Sequence, residues 1–304
     1  MSAWWEMKTA FTRWRKMKRS SADILRLTRE YLRRRHSSGS EAALCGKGLC
    51  LNETEDGVIR GNIKSFREAV INAVYPPACP VCGKPAPYVR GVRLDICEEC
   101  RSRLVYINED RCLKCGKQLS ETEREYCYDC QRTEHVFEQG AAVFAYSEGI
   151  KQSVYRYKYK GCREYASWYS RQIKERCGLL IDEWAPQVIV PVPLHADRLR
   201  IRGYNQAELM AEELGKLTGI RTDSKLLARA KKTKPMKLLD EQERIKNLEK
   251  AFIVRGNVVK YKKVLLIDDI YTTGATADAC AGVLKDCGAE SVFCLSLCIG
   301  RGIG

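Results

Sequence analysis

The sequence predicts an α/β fold, a mostly parallel sheet flanked by helices, with a small cysteine-built module in front of it. Three observations predict this. From residue 141 onward, short apolar runs alternate with segments of helical spacing, the pattern of strands joined by helical crossovers. The run Val264, Leu265, Leu266, Ile267 is apolar without polar alternation, as expected of a strand covered on both faces. Eight of the 16 cysteines fall between Cys79 and Cys130 in four Cys-x-x-Cys pairs, and the composition changes after Thr133. The expected division is a basic, disordered extension over 1–62, a metal-built module over 63–133 and the α/β domain over 134–304.

The extension interleaves Trp4, Trp5, Phe11 and Trp14 with Lys and Arg, and Arg33, Arg34 and Arg35 follow. Such a segment suits an anionic membrane surface or nucleic acid, although residues 37–61 lack any sustained period and read as solvated chain. A helix over 63–74 carries Phe66, Ala69, Val70, Ala73 and Val74 on one face and ends at Pro76-Pro77.

The cysteine block pairs Cys79 and Cys82 with Cys97 and Cys100, then Cys112 and Cys115 with Cys127 and Cys130. In each Cys-x-x-Cys turn both sulfurs face one metal. Two turns make a closed tetrahedral set suited to Zn²⁺, with no open position for catalysis. Two structural zinc sites filled in sequence order are expected, a double zinc ribbon; an interleaved pairing and iron–sulfur ligation are the alternatives. Lys84, Arg90, Arg93, Arg101, Arg103, Lys114 and Lys117 offer this module a basic face for nucleic acid, beside its plain stabilising role.

In the α/β part a strand is expected over 141–146 and a helix over 148–159, with Ile150, Val154 and Tyr157 inward. Lys158 and Lys160 beside Gly161 are then able to reach a phosphate or simply to end the helix in solvent. A helix over 167–177 and a strand over 188–192 follow. That strand empties into a Gly- and Arg-bearing loop in which Arg198 and Arg202 are candidates for an anion. A helix with Ala207, Met210, Ala211, Leu214 and Leu217 inward closes at Gly219. Residues 226–252, rich in Lys, Arg and Glu around Pro235, read as a mobile, partly helical flap, with Arg229 among the residues able to meet a ligand. An edge strand over 251–254, the strand over 264–267, a helix over 277–287 and a strand over 291–298 complete the order, with Cys280, Cys287, Cys294 and Cys298 on apolar faces.

The chemistry concentrates after the strand over 264–267. Asp268 and Asp269 precede a turn of Thr272, Thr273, Gly274, Ala275 and Thr276, and a helix begins behind it. Backbone N–H groups and hydroxyls at such a turn bind a phosphate. Ionised carboxylates only accept hydrogen bonds, so a pair of them suits a vicinal diol. Phosphate beside diol describes a ribose 5-phosphate.

These features together are similar to those of the ComF family. The residues that carry the resemblance are the four cysteine pairs, Tyr157-Lys158-Tyr159-Lys160-Gly161, Pro191-Val192-Pro193-Leu194, Arg202-Gly203-Tyr204-Asn205-Gln206, Glu243-Arg244 with Asn247 and Ala251-Phe252, and Asp268-Asp269 through Thr276. It covers about 66–298; many members carry Gln where this chain has Met236. The resemblance implies a type I phosphoribosyltransferase fold behind the zinc ribbon, binding phosphoribosyl pyrophosphate (PRPP) or a related ligand with Mg²⁺. Asp268 and Asp269 would be the catalytic, ribose-holding pair, Thr272 to Thr276 the 5-phosphate cradle, and Arg198 and Arg202 the pyrophosphate contacts. It also implies a part in DNA uptake during natural competence, with single-stranded DNA and other competence proteins as partners. The alternative is an active purine, pyrimidine or amido phosphoribosyltransferase of nucleotide salvage or biosynthesis.

Charge and composition agree without selecting between these. A net charge of +15 favours anionic partners. The cysteine spacing indicates thiolate metal sites in a reducing compartment instead of a disulfide framework, and no apolar run is long enough to span a bilayer. A cytoplasmic protein, met by a membrane only through the uptake machinery, is the expectation.

Overall fold

In the computed structural model of the chain, which describes residues 78–89, 92–230, 251–255 and 260–300, the apolar runs pair into one parallel sheet. The elements in chain order are a short hairpin (β1, Tyr88–Val89; β2, Val92–Arg93), α1 (Glu98–Arg103), β3 (Gln139–Ala145), α2 (Glu148–Tyr159), α3 (Tyr165–Trp184) and β4 (Val188–Pro191). Then come α4 (Ala196–Arg202), α5 (Gln206–Thr218), a two-stranded ribbon (β5, Leu227–Arg229; β6, Phe252–Val254), β7 (Lys263–Tyr271), α6 (Ala275–Asp286) and β8 (Ser291–Ile299). The sheet order is β3-β8-β7-β4, all parallel, with Val264 beside Val292, Asp268 beside Ser296 and Val190 beside Leu266. The strand carrying the two carboxylates is therefore central.

The two faces of this sheet are covered by different material. On one, α2, α3 and α5 bring Ile150, Tyr157, Tyr169, Ile173 and Met210 onto Leu265, Ile267 and Leu295, and the first cysteine set, with Val81 and Ile96, joins the same core. On the other, α6 and the β5–β6 ribbon bring Leu284, Cys280 and Phe252 onto Val264, Leu266 and Val292, together with the second cysteine set. The cysteine module thus straddles the edge strand β3. Side chains such as Tyr169, Ile173 and Leu265 are completely buried, each contributing about 1.5–3 kcal/mol by removal from water.

Both sheet edges are closed by neighbouring chain. Along β3, Ala145 N donates to Val105 O (2.9 Å) and Ile107 N to Val143 O (3.0 Å); along β4, Ile189 N donates to Arg221 O (2.8 Å) and Asp223 N to Ile189 O (2.9 Å). No long unpaired edge is left there to pair with another chain. Gly116, after Cys115, has φ +77, and a Cβ on it would lie 2.5 Å from Ala141 Cα, so only glycine lets this cysteine turn rest on β3.

Several sequence expectations are adjusted. The strand read as 264–267 runs on to Tyr271, because Asp268 and Ile270 still pair with β8; the carboxylates lie within a strand, not after it. The Arg-bearing loop after β4 is the helix α4, capped at its start by His195 Nδ1, which accepts from Asp197 N, and closed by Gly203 at φ 74. The edge strand near 251–254 pairs with β5 in its own ribbon, outside the main sheet. Cys280, Cys294 and Cys298 are buried, but Cys287 is exposed at the end of α6. The N-terminal extension, the 63–74 helix and the flap's centre, with Pro235, Met236, Arg244 and Asn247, lie outside the described residues.

Candidate functional site

The carboxyl end of β7, the turn after it and the start of α6 form a cleft lined by Asp268, Thr272, Gly274, Thr276, Ser296 and Cys115. Gly274 is the residue that makes the turn: it takes φ +86, and a Cβ there would overlap the Tyr271 hydroxyl and the His135 ring. α6 begins immediately after it, with Asp278 N donating to Gly274 O (2.8 Å). The first amides of α6 have no acceptor within the helix and belong to residues that line the cleft, and Thr272 and Thr273 are exposed beside it.

Adjacent strand residues point to opposite faces, and the two carboxylates have different surroundings. Asp268 lines the cleft and accepts a hydrogen bond from Asp269 N (2.8 Å). Burial, then the neighbouring Asp269 charge, push its carboxyl up to about 7. Asp269, 8% exposed, accepts from Lys158 Nζ at the end of α2 (2.8 Å), both side chains largely buried. Of the two outcomes open to Lys158 in the sequence, phosphate contact or a solvated helix end, it adopts neither: it neutralises Asp269. Beside Asp268 in the cleft lining, Ser296 on β8 is buried and level with it.

Arg202 and the residues after it stitch α4 and α5 to the end of α2. Arg202 donates to Gln206 Oε1 (2.8 Å) and to the Tyr159 hydroxyl (3.2 Å); Tyr157 donates to Gln206 O (2.8 Å) and Tyr204 to Tyr157 O. Asn205 accepts from Ala207 N (3.1 Å) as the cap of α5 and donates to Val192 O (3.0 Å). Arg198 belongs to a different pair. On β5, Arg229 lies over the Phe252 ring (5.2 Å), its buried Nε has no partner among the described residues, and burial followed by the charge of Arg198 holds its guanidinium below the ordinary value. Two repelling guanidinium groups, one desolvated, form a place that an anion would stabilise.

Behind the cleft stands the second cysteine set. His135 Nδ1 lies 2.8 Å from Asp278 Oδ2 on α6, and Val136 N donates to Asp278 Oδ1 (2.8 Å). A carboxylate only accepts, so Nδ1 carries a proton toward Asp278, and Nε2 lies 3.4 Å from the Tyr271 hydroxyl. His135, Asp278, Tyr271 and Ser296 carry no local motif in the sequence, and only the fold brings them together.

The cysteines divide as the spacing predicts: Cys79, Cys82, Cys97 and Cys100 in one set, Cys112, Cys115, Cys127 and Cys130 in the other, each with all four sulfurs within 4.8 Å of one another. The contacts Cys82–Cys97 (3.7 Å), Cys79–Cys97 (3.8 Å) and Cys115–Cys127 (3.6 Å) match the edge of about 3.8 Å of a tetrahedron with metal–sulfur bonds near 2.3 Å. At Cys79 burial opposes ionisation, but N–H groups of Cys82, Cys97 and Val81 outweigh it and lower the thiol. The residues fit structural Zn²⁺. The basic face expected of this module is partly consumed: Lys117 is buried against Asp129, while Arg101 and Arg103 lie beside Glu98 and Glu99. Among the described residues no helix is long and apolar enough to cross a membrane.

Comparison with known proteins agrees with this construction. Residues 70–131 match the family described as Double zinc ribbon domain. The chain is 33% identical to Competence protein ComFC of Streptococcus pneumoniae over 66% of its own length and 86% of the relative's. It is 30% identical to Competence protein ComFC of Bacillus subtilis over 66% and 83%. It is 27% identical to DNA utilization protein YhgH of Escherichia coli over 67% and 89%. With its two Cys₄ sets seated on a parallel α/β sheet, the chain belongs to the ComF family.

Proposed function

We propose that this protein binds PRPP, or a related phosphoribosyl ligand with Mg²⁺, at the carboxyl end of β7 and acts in DNA uptake, as the names of its relatives suggest. The observation that carries the reading is the succession along one central strand: a cleft-facing Asp268, a Lys158-neutralised Asp269, and a Gly274 turn that opens a helix. The 5-phosphate takes the N–H groups and hydroxyls of Thr272 to Thr276, and its negative charge meets the positive, N-terminal end of the α6 dipole. Asp268 and Asp269 each accept from a ribose hydroxyl. The pyrophosphate lies toward Arg198, with Arg229 as its buried partner; Arg202 contributes by fixing the α4–α5 turn. Mg²⁺, entering as part of the Mg-PRPP substrate, would supply charge neutralisation to the pyrophosphate.

A transferase reaction at this site would be displacement of pyrophosphate from the anomeric carbon by a nitrogen nucleophile, and it needs no protein nucleophile. Calorimetry with Mg-PRPP tests the ligand. Saturable binding by the wild type that disappears in Asp268→Asn/Asp269→Asn is expected, and absence of binding by the wild type removes the reading. The transformation frequency of a strain carrying the same double substitution tests the role: an undiminished frequency separates DNA uptake from this site.

A further inference from the structure

We propose that His135 is a positioning residue for the Thr272–Thr276 turn, through which the metal-binding state of the second cysteine set governs how well that turn is formed. The ligand part of this inference rests on the phosphoribosyl reading above; the positioning part does not.

His135 follows the last cysteine of the set, Cys130, by five positions, and the first three intervening residues are tied back to the cysteine turn. Gln131 N donates to Cys127 O (3.1 Å), and Arg132 N and Thr133 N both donate to Asp129 O (3.1 and 2.9 Å). A change in the cysteine turn is therefore passed to His135 with little slack. Its side chain is 1% exposed and stacks on Phe137, ring centres 4.9 Å apart.

The two ring nitrogens of His135 meet the two ends of the turn. Nε2 faces Tyr271, the last residue of β7, and Nδ1 faces Asp278, the residue whose own N–H closes the first turn of α6 on Gly274 O. Between them the backbone at Gly274 lies so close to the imidazole that no side chain fits. One buried ring thus spans the segment whose amides face the cleft. Groups that position a site must themselves be locked by packing and hydrogen bonds, and His135 meets that condition. A second attachment exists one face further along the same helix: Lys285 Nζ donates to Val136 O (2.7 Å) and pairs with Glu138 (2.6 Å). Tyr271, just before the turn, and Asp278, in the first turn of α6, are held by His135, while Lys285 holds only the body of α6. This separation makes a positioning role distinguishable from simple anchoring.

The test is amide hydrogen exchange on the full, zinc-loaded chain, comparing wild type, His135→Phe, which keeps the stacking but neither hydrogen bond, and Lys285→Ala. Exchange at residues 272–277 is expected to rise in His135→Phe and not in Lys285→Ala, with the zinc content of both unchanged. Affinity for Mg-PRPP is expected to fall about tenfold in His135→Phe, the loss of one charge-assisted hydrogen bond. Graded chelation of the wild type should raise exchange at 272–277 in step with release of the second zinc, and the same chelation of His135→Phe should add nothing there. Unaltered exchange at 272–277 in His135→Phe, or an equal further increase on chelation, overturns the proposal. If the wild type fails to bind Mg-PRPP, the ligand reading falls and the exchange arms still decide the role of His135.

Discussion

Replacing Asp268 with Asn removes one titratable carboxyl from the cleft and leaves the shape of the side chain and its acceptor oxygen for Asp269 N in place. The Asp268 carboxyl is pushed from an ordinary 3.8 up to about 7, first by burial and then by Asp269. A raised carboxyl contributes stability that is fully present below its unfolded value and is lost as pH rises through its folded value. Between pH 6 and pH 8 the linkage relation gives a loss of about 1.4 kcal/mol in the wild type that the Asn variant does not suffer. The difference between the two proteins cancels the titrations of groups remote from Asp268 and leaves that of Asp268 with its neighbour Asp269. Urea unfolding of both, zinc-loaded and without ligand, at pH 6, 7 and 8 measures it: the gap should move by that amount in favour of Asp268→Asn. A gap independent of pH would mean that Asp268 is already ionised at pH 6 and would refute its description as a desolvated, chargeable group.

Other outcomes follow from the same geometry. If the ligand requires ionised Asp268, affinity for Mg-PRPP should rise by up to about tenfold per unit below pH 7 and level off above it, read by calorimetry across pH 6 to 8. Lys158→Met leaves the Asp269 carboxylate buried without its partner and should cost about 3–5 kcal/mol in urea unfolding, much of it recovered in Lys158→Met/Asp269→Asn. Mass spectrometric metal analysis should find two zinc ions per chain, and Cys100→Ser should lower this to one while the second set stays loaded. Gly274→Ala forces a side chain into the left-handed region and onto Tyr271 and His135, so it should abolish ligand binding and lower stability by about 2 kcal/mol.

The parts of this protein most legible in its sequence are those governed by local rules. Cys-x-x-Cys spacing marks the eight ligands, and the expected pairing in sequence order, against an interleaved one, is the pairing that the fold adopts. The helix from Glu148 to Tyr159 was bounded by its apolar face, and the apolar runs of β4, β7 and β8 announced a parallel sheet. Sequence did less well where tertiary pairing decides. Asp268 and Asp269 break an apolar run and so look like the end of a strand, yet their backbone continues to pair with β8 as far as Tyr271. Arg198, Arg200 and Arg202 suggested an open anion loop, but the stretch caps and closes as a helix whose last arginine is committed to Gln206 and Tyr159. Nothing local marks His135 as a neighbour of Asp278, 143 residues away. The same holds for Lys158 and Asp269: the pair exists only because α2 returns across the sheet.

The most direct test of the phosphoribosyl reading is a crystal structure of the zinc-loaded chain with Mg-PRPP. The 5-phosphate should lie within hydrogen-bonding distance of the amides from Thr273 to Thr276, with the ribose hydroxyls on Asp268 and Asp269 and the Lys158–Asp269 pair retained. Ligand bound away from the end of β7, or a Gly274 turn left empty at saturating ligand, would contradict it.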